Sequence, residues 1–213
     1  SFSYDEGEKE IIKDFNLNIS KNDSIGIVGS NGSGKSTLIK LLCGLLEPTK
    51  GQIEIDGLNI NNQIKQWRKL IGFVPQEINL IDGTIKENIC LGLKEENINN
   101  EKILEVINRA QLTNFIEKLP NGINSYIGES GVNISGGERQ KLGIARTLYR
   151  DHEIIILDEA TSHLDSDSEI EFIKMLDTQY KNKTKIIVSH RVEALKFCKK
   201  IFNIDNIKKY ENL

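Results

Sequence analysis

The eight residues Gly29-Ser30-Asn31-Gly32-Ser33-Gly34-Lys35-Ser36 constrain this chain more than any other stretch. An apolar run at residues 25–28 precedes them. A helical pattern follows, with Leu38, Leu41, Leu42 and Leu45 at i, i+3, i+4 and i+7. G-x-x-x-x-G-K-[ST] between a strand and a helix is the pattern of a phosphate-binding loop. Its glycines let backbone N–H groups converge on phosphate oxygens. Lys35 brings a point charge to the terminal phosphates, and the Ser36 hydroxyl can ligate Mg²⁺. The helix that starts near Lys35, with Thr37 in its first turn, adds a favourable dipole.

Four apolar runs end in polar residues capable of chemistry. Residues 25–28 end at Gly29, and 71–74 end just before Pro75 and Gln76. Residues 154–157 end at Asp158 and Glu159, and 186–188 end at Ser189 and His190. Runs that are apolar throughout suit strands buried on both faces of an α/β sheet. Ligands collect at the carboxyl ends of strands in open α/β sheets, so these four ends are expected to face one ligand. Residues 2–25 and 52–75 read differently, as short alternating segments containing Phe2, Tyr4, Ile11, Phe15, Leu17 and Ile19. An antiparallel β layer is expected there. Residues 84–149 read as mainly helical, with Ile103, Val106, Ile107 and Ala110 forming a stripe and Pro120-Asn121-Gly122 a turn. After about Ile204 the chain is polar, and a frayed end is expected.

The composition is that of one good-sized domain. Hydrophobic residues make up 38% of 213 residues and there are 17 glycines, enough to bury a core. A net charge of -3 gives no support for a nucleic-acid surface. Cys43, Cys90 and Cys198 are widely spaced, which suits reduced thiols in a cytosolic compartment rather than disulfides or a zinc site. No stretch approaches the roughly 18 apolar residues of a membrane span, and no signal peptide is visible. The chain starts at Ser1 and its only methionine is Met175, so either an initiator Met was removed or this is a piece of a longer chain. The first structured motif begins almost at once, which favours the piece.

The run at 154–157 followed by Asp158 and Glu159 resembles a Walker B strand. It would deliver Asp158 to the Mg²⁺ side of the phosphate loop and leave Glu159 to orient or deprotonate a water. Asn133-Ile134-Ser135-Gly136-Gly137-Glu138-Arg139-Gln140 resembles the signature loop of ABC-type ATPases. Ser135 to Glu138 is also S-x-x-E, a capping box opening a helix over 137–150. Both readings stand together, because a capped helix start with two glycines is also an anion site.

The resemblance to ATP-binding domains of ABC transporters covers essentially the whole chain. It implies an α/β fold: a P-loop NTPase core with a mainly parallel sheet, a flanking antiparallel β layer and an inserted helical subdomain. The core and β layer would span about 1–83 and 150–213, the helical subdomain about 84–149. Tyr4 is similar to the family's aromatic that stacks on adenine. Gln76 matches the Q-loop glutamine that touches Mg²⁺, Asp165 the D-loop, and His190 the switch histidine at the γ-phosphate. The implied cofactors are ATP and Mg²⁺. The resemblance thus assigns Glu159, His190, Lys35 and Gln76 to catalysis, and Ser36, Gln76 and Asp158 to the metal. ATP would be held by Tyr4, residues 29–37, Ser135, Gly136, Gly137 and Asp165.

Two segments are similar to the exporter branch. Asp82-Gly83-Thr84-Ile85-Lys86-Glu87-Asn88-Ile89 resembles the G-T-I-x-x-N-I stretch after the Q-loop, and Gly128-Glu129-Ser130-Gly131 the loop ahead of the signature. The resemblance implies a head-to-tail dimer of two such domains, with a homodimer permitted. It also implies a transmembrane domain fused upstream and a position at the cytoplasmic face of a membrane. A free-standing importer subunit or a soluble ABC ATPase is the alternative. The chain departs from the family pattern at Ile134, usually leucine, at Glu138, usually glutamine, and at His163, usually a small residue.

Overall fold

The computed structural model describes residues 1–5, 10–128 and 133–206. Its centre is a five-stranded sheet built from the apolar runs. The strands are β1 (Ser24–Val28), β4 (Ile71–Val74), β7 (Ile154–Asp158), β8 (Thr184–Val188) and β9 (Lys200–Asn203), in the order β4-β7-β8-β1-β9. Every pairing is parallel. The four apolar runs fall in β1, β4, β7 and β8, where packing on both faces removes the alternation, whereas β9 is a half-exposed edge strand of sequence Lys-Ile-Phe-Asn. Ile155, Leu157 and Ile187 point into one cluster, with residues of α3 (Ile85–Ile89), α4 (Asn100–Arg109), α6 (Gly136–Arg150) and α7 (Ser166–Gln179). Ile25, Ile27, Ile156 and Ile186 point into the other, with α1 (Lys35–Leu42), Phe2, Ile12 and Trp67. Among the described residues no helix is long and apolar enough to cross a membrane.

The antiparallel layer takes the form of short pieces. Phe2 bridges Ile12, and β2 (Glu54–Ile55) pairs with β3 (Leu58–Asn59) across a turn at Asp56 and Gly57. The same stretch of sequence also holds α2 (Ile64–Leu70) and the edge strand β4 of the parallel sheet. The expected helical middle contains α3, α4, α5 (Thr113–Glu117) and α6, with a small antiparallel pair, β5 (Gly83–Thr84) and β6 (Tyr126–Ile127). Ile103, Val106, Ile107 and Ala110 are all buried, as their spacing requires. Of the exporter-like loop at 128–131, residues 129–131 lie outside the described residues.

Two expectations need correction. Leu45 is not part of the α1 stripe. The helix ends at Leu42, and Gly44 takes a left-handed φ of +64°. Gly44 N–H donates to Leu41 C=O at 2.9 Å and Leu45 N–H to Lys40 C=O at 2.8 Å. This is a Schellman stop, which puts Leu45 outside the helix at 54% exposure. The second correction is confined to residues 204–206, because residues 207–213 of the expected frayed end lie outside the described residues. Residues 204–206 form a 3₁₀ turn that packs under the phosphate loop, and Ile204 is buried. Polar composition signalled fraying, but the residues serve as a brace for that loop.

Candidate functional site

The sheet delivers its functional side chains at the carboxyl ends of β1, β4, β7 and β8, as strand polarity requires. After β1 the chain turns through Gly29 to Gly34 into α1. Gly34 is the N-cap of α1, at φ +99°, and no side chain caps the helix. The first N–H groups of α1 therefore face the cleft without a protein cap. Gly29 admits a close approach: a Cβ there would come 2.4 Å from Ile204 Cγ2 and 2.7 Å from Ser33 Oγ. Ser33 Oγ is buried without a hydrogen-bond partner. Bare donors, a glycine cradle and an orphaned hydroxyl fit an anionic ligand such as a nucleotide phosphate.

A cleft of about 490 Å³ is lined by Ile11, Asn31, Gly32, Gly34, Lys35, Ser36, Thr37, Gln76 and Glu159. Lys35 is buried, and its Nζ donates to the carbonyls of Gly29 at 2.9 Å and Ser30 at 3.0 Å. It lies 3.9 Å from Glu159 Oε1. His190 Nε2 is 2.7 Å from that same carboxylate oxygen. Glu159 holds φ +51°, a left-handed conformation that costs a residue with a Cβ about 1–2 kcal/mol. The Glu159 N–H donates to Val188 C=O at 3.1 Å, which ties the end of β7 to the end of β8 and holds that conformation.

Ser36 Oγ donates to Asp158 Oδ1 at 3.4 Å. Burial pushes the Asp158 carboxyl above the usual carboxylate range, against the opposing pull of the Ser36 hydrogen bond. A divalent cation would relieve that cost. Ser36, Asp158 and the Gln76 side chain supply the oxygen ligands Mg²⁺ prefers, so the residues present fit the ion. Tyr4 is half exposed, stands edge-on to Phe2 and has its hydroxyl 3.3 Å from Thr37 Oγ1. An aromatic face is thus left at the rim of the cleft.

The structure gathers Lys35, Ser36, Thr37, Gln76, Glu159, Asp158, His190 and Tyr4 around one cleft. Ser135, Gly136, Gly137 and Asp165 are not among its lining residues. They sit at the starts of α6 and α7, and Ser135, Gly136 and Asp165 are exposed there. Ser135 and Glu138 form a full capping box, with Ser135 Oγ accepting from Glu138 N–H at 3.2 Å and Glu138 Oε2 accepting from Ser135 N–H at 2.9 Å. Asp165 caps α7 by accepting from Ser168 N–H at 2.9 Å and Ser168 Oγ at 2.6 Å, and these bonds hold its carboxyl below the usual range. Gln140, buried in α6, joins the two helix starts. Its Nε2 donates to Ser162 Oγ at 3.0 Å and its Oε1 accepts from His163 N–H at 2.9 Å. The His163 ring covers Gly136, where a Cβ would come 3.1 Å from a ring carbon.

Sequence reasoning missed two residues at the cleft. Ile11 read as an ordinary strand position, yet the Phe2–Ile12 bridge brings it over Gly34. Asp205 read as tail. Its carboxylate accepts from Ser30 N–H at 2.7 Å and Ser30 Oγ at 2.8 Å, so it clamps the phosphate loop from below. The available signal was the short apolar stretch that now forms β9, which had to join the sheet and bring its exit near another strand end.

Comparison with known proteins agrees with this fold. The ABC transporter family model matches residues 12–162. A multidrug resistance ABC transporter ATP-binding and permease protein of Lactococcus lactis is 40% identical over 205 residues, which are 96% of this chain and 34% of that protein. A Staphylococcus aureus chain described as a candidate multidrug export ATP-binding/permease protein is 42% identical over 207 residues, 97% of this chain and 36% of its own length. The chain thus spans about a third of the length of the curated relatives it matches. A solved structure of a bacterial Atm1-family ABC exporter with ATP bound superposes with a TM-score of 0.86 at 32% identity, over 95% of this chain and 35% of that one. With a phosphate loop, a Walker B-like strand and a signature-like helix in order on such a sheet, the chain belongs to the ABC transporter family.

Proposed function

We propose that this chain is the ATP-binding and hydrolysing domain of an exporter-type ABC transporter. The observation that carries the proposal is the contact of Glu159 with His190, 2.7 Å apart and beside buried Lys35 at the mouth of the phosphate-loop cleft. A base, a hydrogen-bond donor and a cation at one point suit cleavage of a terminal phosphate.

Lys35 and the N–H groups at the start of α1 hold the phosphates, and Tyr4 offers its ring to the adenine. Ser36, Asp158 and Gln76 would hold Mg²⁺, which when bound supplies positive charge to the phosphate oxygens. Glu159 orients a water for attack at the γ-phosphorus and takes its proton. His190 fixes the Glu159 carboxylate and donates to the γ-phosphate. Residues 29–37 alone do not enclose a nucleotide, since Asn31 and Gly32 are exposed. A second copy, presenting Ser135, Gly136, Gly137 and Asp165 head to tail, would close the site. Closure on ATP and reopening after hydrolysis then provide the stroke. The relatives are ATP-binding and permease fusions, which supports a membrane domain in the same polypeptide and a place at the cytoplasmic face.

The test is Glu159→Gln in the full-length protein that carries this segment. Phosphate release should fall by about 10²- to 10⁴-fold, the scale of one general base. ATP should still bind, and the paired form should accumulate. Turnover like wild type would remove Glu159 from the role of base.

A further inference from the structure

Glu169 is a carboxylate with 1% exposure in the first turns of α7, and the reading above gives it no task. It has three side-chain donors from two other segments. Thr161 Oγ1 donates to its Oε1 at 2.6 Å, Ser189 Oγ to the same oxygen at 2.9 Å, and Arg191 Nη1 to Oε2 at 2.8 Å. Arg191 Nη1 also donates to Leu164 C=O at 2.9 Å, and Arg191 N–H to Ser189 Oγ at 3.0 Å. Thr161 lies two residues after Glu159, and Ser189 and Arg191 flank His190. Leu164 directly precedes Asp165.

One buried charge therefore grips the segment leaving Glu159, both neighbours of His190 and the entry to Asp165. A buried carboxylate is tolerated only when its acceptor sites are filled, so the loops are not free to choose other positions. The backbone bond from Glu159 N–H to Val188 C=O closes the same ring of contacts from above.

We propose that Glu169 and Arg191 are positioning residues that hold Glu159 and His190 at contact distance and tie that pair to the Asp165 loop. The inference rests on the hydrolytic role given above to Glu159 and His190. Neither Glu169 nor Arg191 is among the residues lining the phosphate-loop cleft. Their loss should therefore act on the rate of the chemical step and spare ATP binding.

The experiment is steady-state phosphate release by the full-length protein as wild type, Glu169→Gln, His190→Ala and the double variant. Glu169→Gln should lower kcat by roughly ten- to a hundred-fold, the scale of a misplacement of about 1 Å, with KM for ATP little changed. In the His190→Ala background the same change should cost almost nothing more, because its target is gone. Equal fold-losses in both backgrounds, or a raised KM with kcat kept, would overturn the proposal and leave Glu169 as a staple of the fold. If Glu169→Gln does not fold, Ser189→Ala answers the question in the same cycle. It should lower kcat by roughly two- to ten-fold, the kinetic equivalent of one hydrogen bond, and again only when His190 is present. A wild type without ATP turnover, or a His190→Ala variant as fast as wild type, would instead overturn the hydrolytic reading itself.

Discussion

Two helix starts in this molecule have opposite chemistry. α1 begins at Gly34 with no side-chain cap and no acidic residue in its first turn. α6 begins at Ser135 with a complete capping box and Glu138 in its first turn. The helix dipole favours an anion at each. At α1 no side chain caps the helix, so an anion on its first N–H groups has to come from outside the chain. At α6 the chain has already supplied one, since Glu138 Oε2 accepts from both Ser135 N–H and Ser135 Oγ. A phosphate arriving at α1 meets unsatisfied donors, whereas one arriving at α6 has to displace or tolerate a carboxylate. The comparison predicts that α1 supplies most of the affinity for a nucleotide and that α6 adds a smaller contribution.

Lys35→Ala tests the dominant end. The ammonium, now on the carbonyls of Gly29 and Ser30, is the only side-chain cation lining the cleft among the described residues. Its removal should weaken ATP binding by about two orders of magnitude, the scale of about 3 kcal/mol for a charge-assisted contact. Titration with a fluorescent ATP analogue reads this directly. Unchanged affinity would take α1 out of the phosphate site.

Ser135→Ala tests the weaker end. The cap alone predicts a stability loss of about 1 kcal/mol with ATP turnover untouched. Our reading predicts that stability loss together with slower turnover, because Ser135 would also meet the partner's nucleotide. Thermal unfolding and phosphate release on the same preparation separate the two. A destabilised variant with normal turnover would confine Ser135 to capping.

The contrast between the two ends was half legible in the sequence. The four strand ends were readable because strands buried on both faces leave runs such as residues 154–157 with no polar break. The bare start of α1 was readable from its glycines, and the box at α6 from S-x-x-E. Sheet order was not readable, since β9 reaches its place beside β1 through contacts made long after both runs are written. Asp205 was illegible because a carboxylate in a polar tail resembles solvent-facing sequence until Ser30 is known to lie above it. Glu169 was hidden for a related reason. Ser166-Asp167-Ser168-Glu169 reads as an acidic, capped first turn, the usual dress of an exposed helix start. Only the fold shows that Glu169 turns inward to Thr161, Ser189 and Arg191.

Glu138→Gln sharpens the comparison with the smallest expected effect. Glutamine can accept from Ser135 N–H through its amide oxygen, so the cap survives while the charge is lost. The loss of charge near the α6 start should cost about 0.3–1 kcal/mol of stability. It also removes the carboxylate of the α6 capping box, which a nucleotide phosphate docking on Ser135, Gly136 and Gly137 would meet. Repulsion between that carboxylate and the incoming phosphates therefore disappears. The apparent ATP affinity of the paired form should rise by a few-fold, while binding to the unpaired chain, set by α1, should stay where it was. Measuring ATP affinity below and above the concentration at which the protein pairs distinguishes these. Equal tightening at both concentrations would mean that Glu138 acts on the cleft of its own chain, and the head-to-tail arrangement would lose its electrostatic support.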